Sequence, residues 1–171
     1  MSSEQLALSH SLGEALQLRG WQVSTAESCT GGGIAETITA VSGSSGWFSC
    51  GFVTYSNLAK EKLLDVPATL FTGADAPGAV SEETVLAMAR GAINVSGADV
   101  AVSTSGIAGP DGGSPDKPVG TVWIAWAVRD LTSPTLQSRA RCFHFEGDRA
   151  AVREQSVVAA LEGLLTMVDN Q

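Results

Sequence analysis

Ala26-Glu27-Ser28-Cys29-Thr30-Gly31-Gly32-Gly33 is the stretch around which the chain is organised. A short alternating run, Trp21 to Thr25, precedes it and predicts a β-strand, while Ile34 to Ala40 follows it and predicts a helix. Glycine is unfavourable inside regular elements, so three in succession mark a tight backbone or the close approach of another group. A strand, a glycine turn and a helix start together offer free N–H groups and the positive end of a helix dipole. Two readings follow. A Ser or Thr before a helix most often serves as an N-cap. A hydroxyl in the same place can also act as a nucleophile, with N–H groups near Thr30, Gly31 and Gly32 steadying the charge on an attacked carbonyl oxygen.

Outward from this turn, helices and strands are interspersed. Gln5 to Arg19 predicts a first helix, with Leu8, Leu12, Ala15 and Leu16 sharing much of one face and Gly20 as its stop. Trp47 to Tyr55 predicts the second strand, and Ser56 or Asn57 caps a helix running to Leu64. Asp65 to Gly78 reads as loop. Ser81 starts a strong helix with Glu82 and Glu83 in its first turn, apolar at Val85, Met88, Ala89 and Ile93, and closed by Gly97. Val100 to Thr104 predicts a third strand. A second glycine-dense loop follows it, Thr104-Ser105-Gly106-Ile107-Ala108-Gly109-Pro110-Asp111-Gly112-Gly113. Val119 to Val128 and Arg139 to Phe145 predict a hairpin, joined through a turn-like Asp130 to Pro134. Asp148 caps a last helix with Val152, Val157, Leu161, Leu164 and Val168 inward. The expectation is one domain over residues 1–171: a three-layer α/β/α fold with helices on both sides of a mixed sheet. Such folds place ligands at glycine-rich loops after strands.

Composition narrows the function. The 171 residues are 44% hydrophobic and 16% charged, which suits a globular chain rather than a disordered one. The net charge of -8 disfavours non-specific nucleic-acid binding. Low charge with much apolar material predicts self-association into a dimer or larger homo-oligomer. Cys29, Cys50 and Cys142 form no paired framework, as expected of reduced, intracellular thiols. Met1 to His10 lacks the basic start of a signal peptide, and no apolar run reaches membrane-spanning length, so a cytoplasmic protein without membrane contact is expected. Clustered metal-ligand spacings and the phosphate-loop and dinucleotide fingerprints are absent, so neither a metal nor a cofactor is expected.

A nucleophilic Ser28 needs a base. His10 lies in the first amphipathic helix and His144 within a strand, with no acid spaced to orient either. A lysine made neutral by burial or a nearby positive charge is another way to activate a serine. Tyr55 ends the second strand, and Lys60 lies five residues on; one cleft can receive both, although a rim aromatic and a solvated lysine are the commoner reading.

Six blocks resemble the CinA C-terminal domain family and its stand-alone nicotinamide-nucleotide amidases. They are Ala26 to Gly32, Val53-Thr54-Tyr55-Ser56-Asn57 with Lys60, Val80-Ser81-Glu82-Glu83, Thr104 to Pro110 with Gly112-Gly113, Pro118-Val119-Gly120-Thr121-Val122, and Phe145 to Arg149. Their order is the family's, and the resemblance runs from about Leu8 to Val168. It implies the CinA C-terminal fold and deamidation of nicotinamide mononucleotide to nicotinate mononucleotide and ammonia. The family's serine, tyrosine and lysine match Ser28, Tyr55 and Lys60, with Lys60 taking the serine proton directly or through Tyr55. Substrate contacts are then expected at Thr104, Ser105, Gly106, Gly109 and Gly112 lining the cleft, and at Arg149 and Arg153 holding the phosphate. Glu27 is expected to orient the lysine or a water, or to cap backbone groups. Alternatives are a pyridine-nucleotide-binding module without turnover, an interaction module, and an amidase for another small amide.

Overall fold

The computed structural model describes residues 1–130 and 135–171. Its strands are β1 (Val23–Glu27), β2 (Phe48–Val53), β3 (Val100–Gly106), β4 (Thr121–Arg129) and β5 (Leu136–His144). Five α-helices accompany them: α1 (Ser3–Arg19), α2 (Gly33–Thr39), α3 (Asn57–Leu64), α4 (Glu82–Ser96) and α5 (Arg149–Asp169). The spatial order β2-β1-β3-β4-β5 makes one mixed sheet. β1 runs parallel to β2 and β3, whereas β3, β4 and β5 are successively antiparallel. β4 and β5 form the expected hairpin, and most of its turn, residues 131–134, lies outside the described residues.

Alternation along the strands sorts the two faces by size. Val23, Val100, Val102, Val122, Ile124, Trp126 and Val128 face one core with α1, α2 and α5. Ala26, Ala101, Ala125 and Ala127 face the other, against Val85, Met88, Ala89, Ala92 and Ile93 of α4 and Leu64 of α3. Small residues on that side let α4 lie close to the sheet. On the large-residue side, Trp126 needs a slot in α5: its Nε1 donates to Ala160 O at 2.9 Å, and a Cβ on Gly163 would collide with the indole.

The chain leaves β1 through α2 to β2 on one side, then returns past α3 and α4 on the opposite face to β3 on the other side. The C-terminal ends of β1 and β3 therefore lie at a topological switch point, where open α/β sheets form ligand crevices. β1 also runs two residues beyond its expected end, so Glu27 belongs to the strand. Its side chain is fully buried. Glu27 Oε2 accepts from Thr30 Oγ1 at 2.7 Å, Gly32 N at 3.1 Å and Ile34 N at 3.0 Å. Oε1 accepts from Ala35 N at 2.9 Å and Thr25 Oγ1 at 3.3 Å. The carboxylate thus caps α2, whose N-cap position, Gly32, has no side chain for the task.

No helix among the described residues is long and apolar enough to cross a membrane. Replacing Glu27 by Ala leaves two amides of α2 and the Gly32 amide without their acceptor in a largely buried turn, an expected cost of about 3–5 kcal/mol. Thermal unfolding is predicted to fall by about 10 °C for Glu27→Ala, and by less for the isosteric Glu27→Gln. An unchanged midpoint for Glu27→Ala would refute the capping role.

Candidate active site

Ser28 follows the last residue of β1 and is 8% exposed. Its N–H donates to Thr104 O at 3.0 Å, continuing the β1–β3 ladder by one residue. Lys60 comes from the first half of α3, whose N-cap Ser56 accepts from Ala59 N. The lysine is only 1% exposed. Its Nζ lies 3.1 Å from Ser28 Oγ and donates to Thr54 O at 2.8 Å and Tyr55 O at 3.3 Å. Burial pulls its pKa below the ordinary lysine value, with a smaller opposing effect from the neighbouring Cys29. A neutral amine has two hydrogens and one lone pair. In that form the two carbonyls take both hydrogens and the lone pair faces Ser28 Oγ; in the charged form Nζ donates to Oγ as well.

Tyr55 contributes its carbonyl, not its hydroxyl, to Lys60. The ring is 60% exposed, and its hydroxyl accepts from Arg149 Nη2 at 3.0 Å. Arg149 Nη1 donates to Gly109 O at 2.9 Å, so this guanidinium joins the segments after β2 and β3 to the start of α5. One turn further along α5, Arg153 Nη2 donates to Thr30 O at 2.9 Å. Arg149 and Arg153 both line a cleft of about 510 Å³ with Ala108, Pro110, Val119 and Asp148. A second, smaller groove of about 410 Å³ lies between α1, α5 and Phe143. Ser28 lines neither of the two.

Several expected site residues stand behind the crevice rather than in it. Glu27 is sealed from the cleft and acts on the α2 backbone. Thr104 is fully buried, and its Oγ1 lies 2.8 Å from Thr30 Oγ1, so these hydroxyls brace the nucleophile turn against β3. The amides of the glycine turn are largely committed: Gly31 N donates to Ser28 O at 3.0 Å, and Gly32 N to Glu27. Neither is unclaimed for an oxyanion. Ser105 is 2% exposed, and Gly106 ends β3. Gly109 and Gly112 adopt positive φ of 80° and 93°, and a Cβ on Gly109 would lie 2.5 Å from Val119 Cγ1. The loop therefore uses glycine to fold against Pro118-Val119.

Cys29 is 5% exposed, and burial pushes its pKa up to about 11, so it stays a thiol at neutral pH. Among the described residues, no group of three His, Cys, Asp or Glu side chains is placed to hold a metal. Thr54, whose carbonyl holds Lys60, was not singled out by sequence reasoning. Its signal was available, since it precedes Tyr55 in the block shared with the family.

A family model described as the CinA C-terminal domain matches residues 5–168. The nicotinamide-nucleotide amidohydrolase PncC of Pseudomonas putida is 58% identical over 156 residues, covering 91% of this chain and 92% of the relative. The protein of the same name in Escherichia coli strain K12 is 52% identical over 162 residues, 95% of this chain and 93% of its own length. Among solved structures, the competence/damage inducible protein CihA of Agrobacterium tumefaciens aligns with TM-score 0.88 and 40% identity over 100% of this chain and 98% of that one. A CinA superfamily protein of Klebsiella pneumoniae aligns with TM-score 0.87 and 38% identity over 98% and 99%. With its three layers, mixed sheet and near-complete coverage, the chain belongs to the CinA C-terminal domain family, as a near relative of the PncC amidohydrolases.

Proposed function

We propose that this protein hydrolyses the carboxamide of nicotinamide mononucleotide, releasing nicotinate mononucleotide and ammonia, with Ser28 as nucleophile and Lys60 as general base. The observation that carries the mechanism is the 3.1 Å contact between Ser28 Oγ and a lysine amine that is 1% exposed. The substrate assignment is supported by the 58% identity to an amidohydrolase of that name.

The neutral Lys60 amine takes the Ser28 proton as Oγ attacks the carboxamide carbon. The resulting lysinium has three hydrogens for three acceptors: Ser28 Oγ, Thr54 O and Tyr55 O. It is therefore stabilised where it forms. Collapse of the tetrahedral intermediate breaks the C–N bond, Lys60 returns the proton to the leaving nitrogen, and ammonia departs. Nicotinate mononucleotide is then esterified to Ser28 through its carboxyl carbon. A water attacks this ester, Lys60 accepts one of its protons, and the Ser28 oxygen takes that proton as the carboxylic acid leaves and ionises to solvent. No group outside the protein and water is required. Direct transfer between Ser28 and Lys60 suits the geometry better than relay through Tyr55, whose hydroxyl is turned to Arg149. The protein carries a net charge of -8, so the substrate phosphate needs local cations, and Arg149 and Arg153 at the 510 Å³ cleft supply them.

Ammonia release from nicotinamide mononucleotide is expected from the parent and is expected to fall by about 10⁴-fold or more in Ser28→Ala. Equal rates would remove Ser28 from its role, and no release by a folded parent would remove the substrate. The base must be unprotonated, so kcat/KM should rise with pH as Lys60 loses its proton. Because burial lowers that pKa, the rise should be centred below the ordinary lysine value of 10.5 and be missing in Lys60→Met. Arg149→Ala is expected to raise KM for the mononucleotide about tenfold while leaving the slower turnover of free nicotinamide unchanged. An equal effect on both substrates would exclude a phosphate contact.

A further inference from the structure

In register, Glu27 of β1 pairs with Val53 of β2 and with Thr104 of β3. The next residue of each chain forms a row across the three parallel segments: Thr54, Ser28 and Ser105. The ladder continues into this row, because Thr54 N donates to Glu27 O at 2.8 Å and Ser28 N to Thr104 O at 3.0 Å. Strand alternation puts the row on the α4 side of the sheet. Ala26 and Ala101 pack in that core, Ser103 Oγ donates to Val85 O of α4 at 2.6 Å, and Lys60 reaches Ser28 from α3.

All three residues carry a hydroxyl, and each is placed differently. Ser28 Oγ meets Lys60. Thr54 Oγ1 is sealed from solvent without a partner. Ser105 is 2% exposed, and its hydroxyl has no hydrogen-bond partner among the described residues, yet it is not among the sealed oxygens. A nearly buried hydroxyl left unpaired costs stability unless something arriving in the crevice completes it. Adjacent strands lie about 4.8 Å apart, so a carbonyl bonded to Ser28 comes within reach of its neighbour on β3. The Gly31 and Gly32 amides are committed to Ser28 O and Glu27, so neither is open to that carbonyl oxygen, whereas the Ser105 hydroxyl is.

We infer that Ser105 is a further catalytic residue, whose hydroxyl donates to the carbonyl oxygen of the carboxamide and holds it as the tetrahedral oxyanion forms on Ser28. The proton stays on Ser105, and the hydrogen bond strengthens as charge develops. The inference rests on the reading of Ser28 as an acyl-accepting nucleophile.

Parent, Ser105→Ala and Ser105→Thr are compared in two assays. One is steady-state ammonia release from nicotinamide mononucleotide. The other is the burst of p-nitrophenolate from p-nitrophenyl acetate, which reports acylation of Ser28 whatever the natural amide. Loss of one oxyanion donor predicts about a 10²-fold fall in kcat for Ser105→Ala, KM within about twofold of the parent, and an unchanged melting temperature. The burst should slow in parallel, and Ser105→Thr should recover most of both rates. A kcat within about twofold of the parent, a loss confined to KM, or a loss that tracks a fall in melting temperature would each overturn the role. If the parent gives the ester burst but no ammonia, the substrate reading fails and Ser105 is judged on the burst alone. If the parent gives neither, Ser28 as nucleophile and Ser105 as its oxyanion donor fall together.

Discussion

Glu27 accepts hydrogen bonds from Thr25, Thr30, Gly32, Ile34 and Ala35 while exposing none of its surface. A buried carboxylate is costly unless its oxygens are satisfied, and here five donors satisfy them. The arrangement joins the end of β1 to the first turn of α2 and, through Thr30 and Thr104, to β3. Ser28 is the next residue along. Its place is thus set from behind by a carboxylate with no exposed surface. The positive end of α2 is answered by Glu27 and not by an incoming anion.

On the opposite side of the sheet, Lys60 shows what burial does to a cation. It is among the largest fully buried side chains, and the groups its amine meets are two carbonyl oxygens and one hydroxyl. Water is excluded, so the charged form loses solvation and the amine is biased towards neutrality. The Thr54 and Tyr55 carbonyls then fix its orientation. Cys29 experiences the same dryness with the opposite chemical result, since burial there favours the inert thiol. One environment biases the lysine towards its neutral amine and the cysteine towards its thiol.

Much of the fold was legible because its elements announce themselves locally. The inward positions of α4 and α5 matched their three- and four-residue spacing, and their caps Ser81 and Asp148 stand where side chains favour them. The second and third strands and the hairpin followed from alternation. Strand order was not legible, because nothing local says that β1 lies between β2 and β3. The end of β1 was expected at Thr25, and sequence left the capping role of Glu27 as one alternative, because its donors are amides whose aim depends on the turn. Lys60 was legible only through family resemblance. Its partner on the buried face of α3, Leu64, lies four residues on, but a lysine at such a position ordinarily reaches solvent. Tyr55 was expected to share a cleft with Lys60, while its hydroxyl direction depends on Arg149, ninety-four residues away.

The row Thr54, Ser28 and Ser105 is anchored to the hydrogen-bond ladder of three parallel strands. Its spacing is inherited from the pitch of the sheet, so it cannot drift without unzipping backbone bonds. The walls that would meet the rest of a substrate have another origin: the glycine loop after β3 and the first turn of α5, which Arg149 and Arg153 reach from outside the ladder. The molecule is therefore divided into a rigid chemical rail and a replaceable frame. Such a division lets loop substitutions reshape what the crevice admits while the register of the hydroxyl row stays fixed by the sheet.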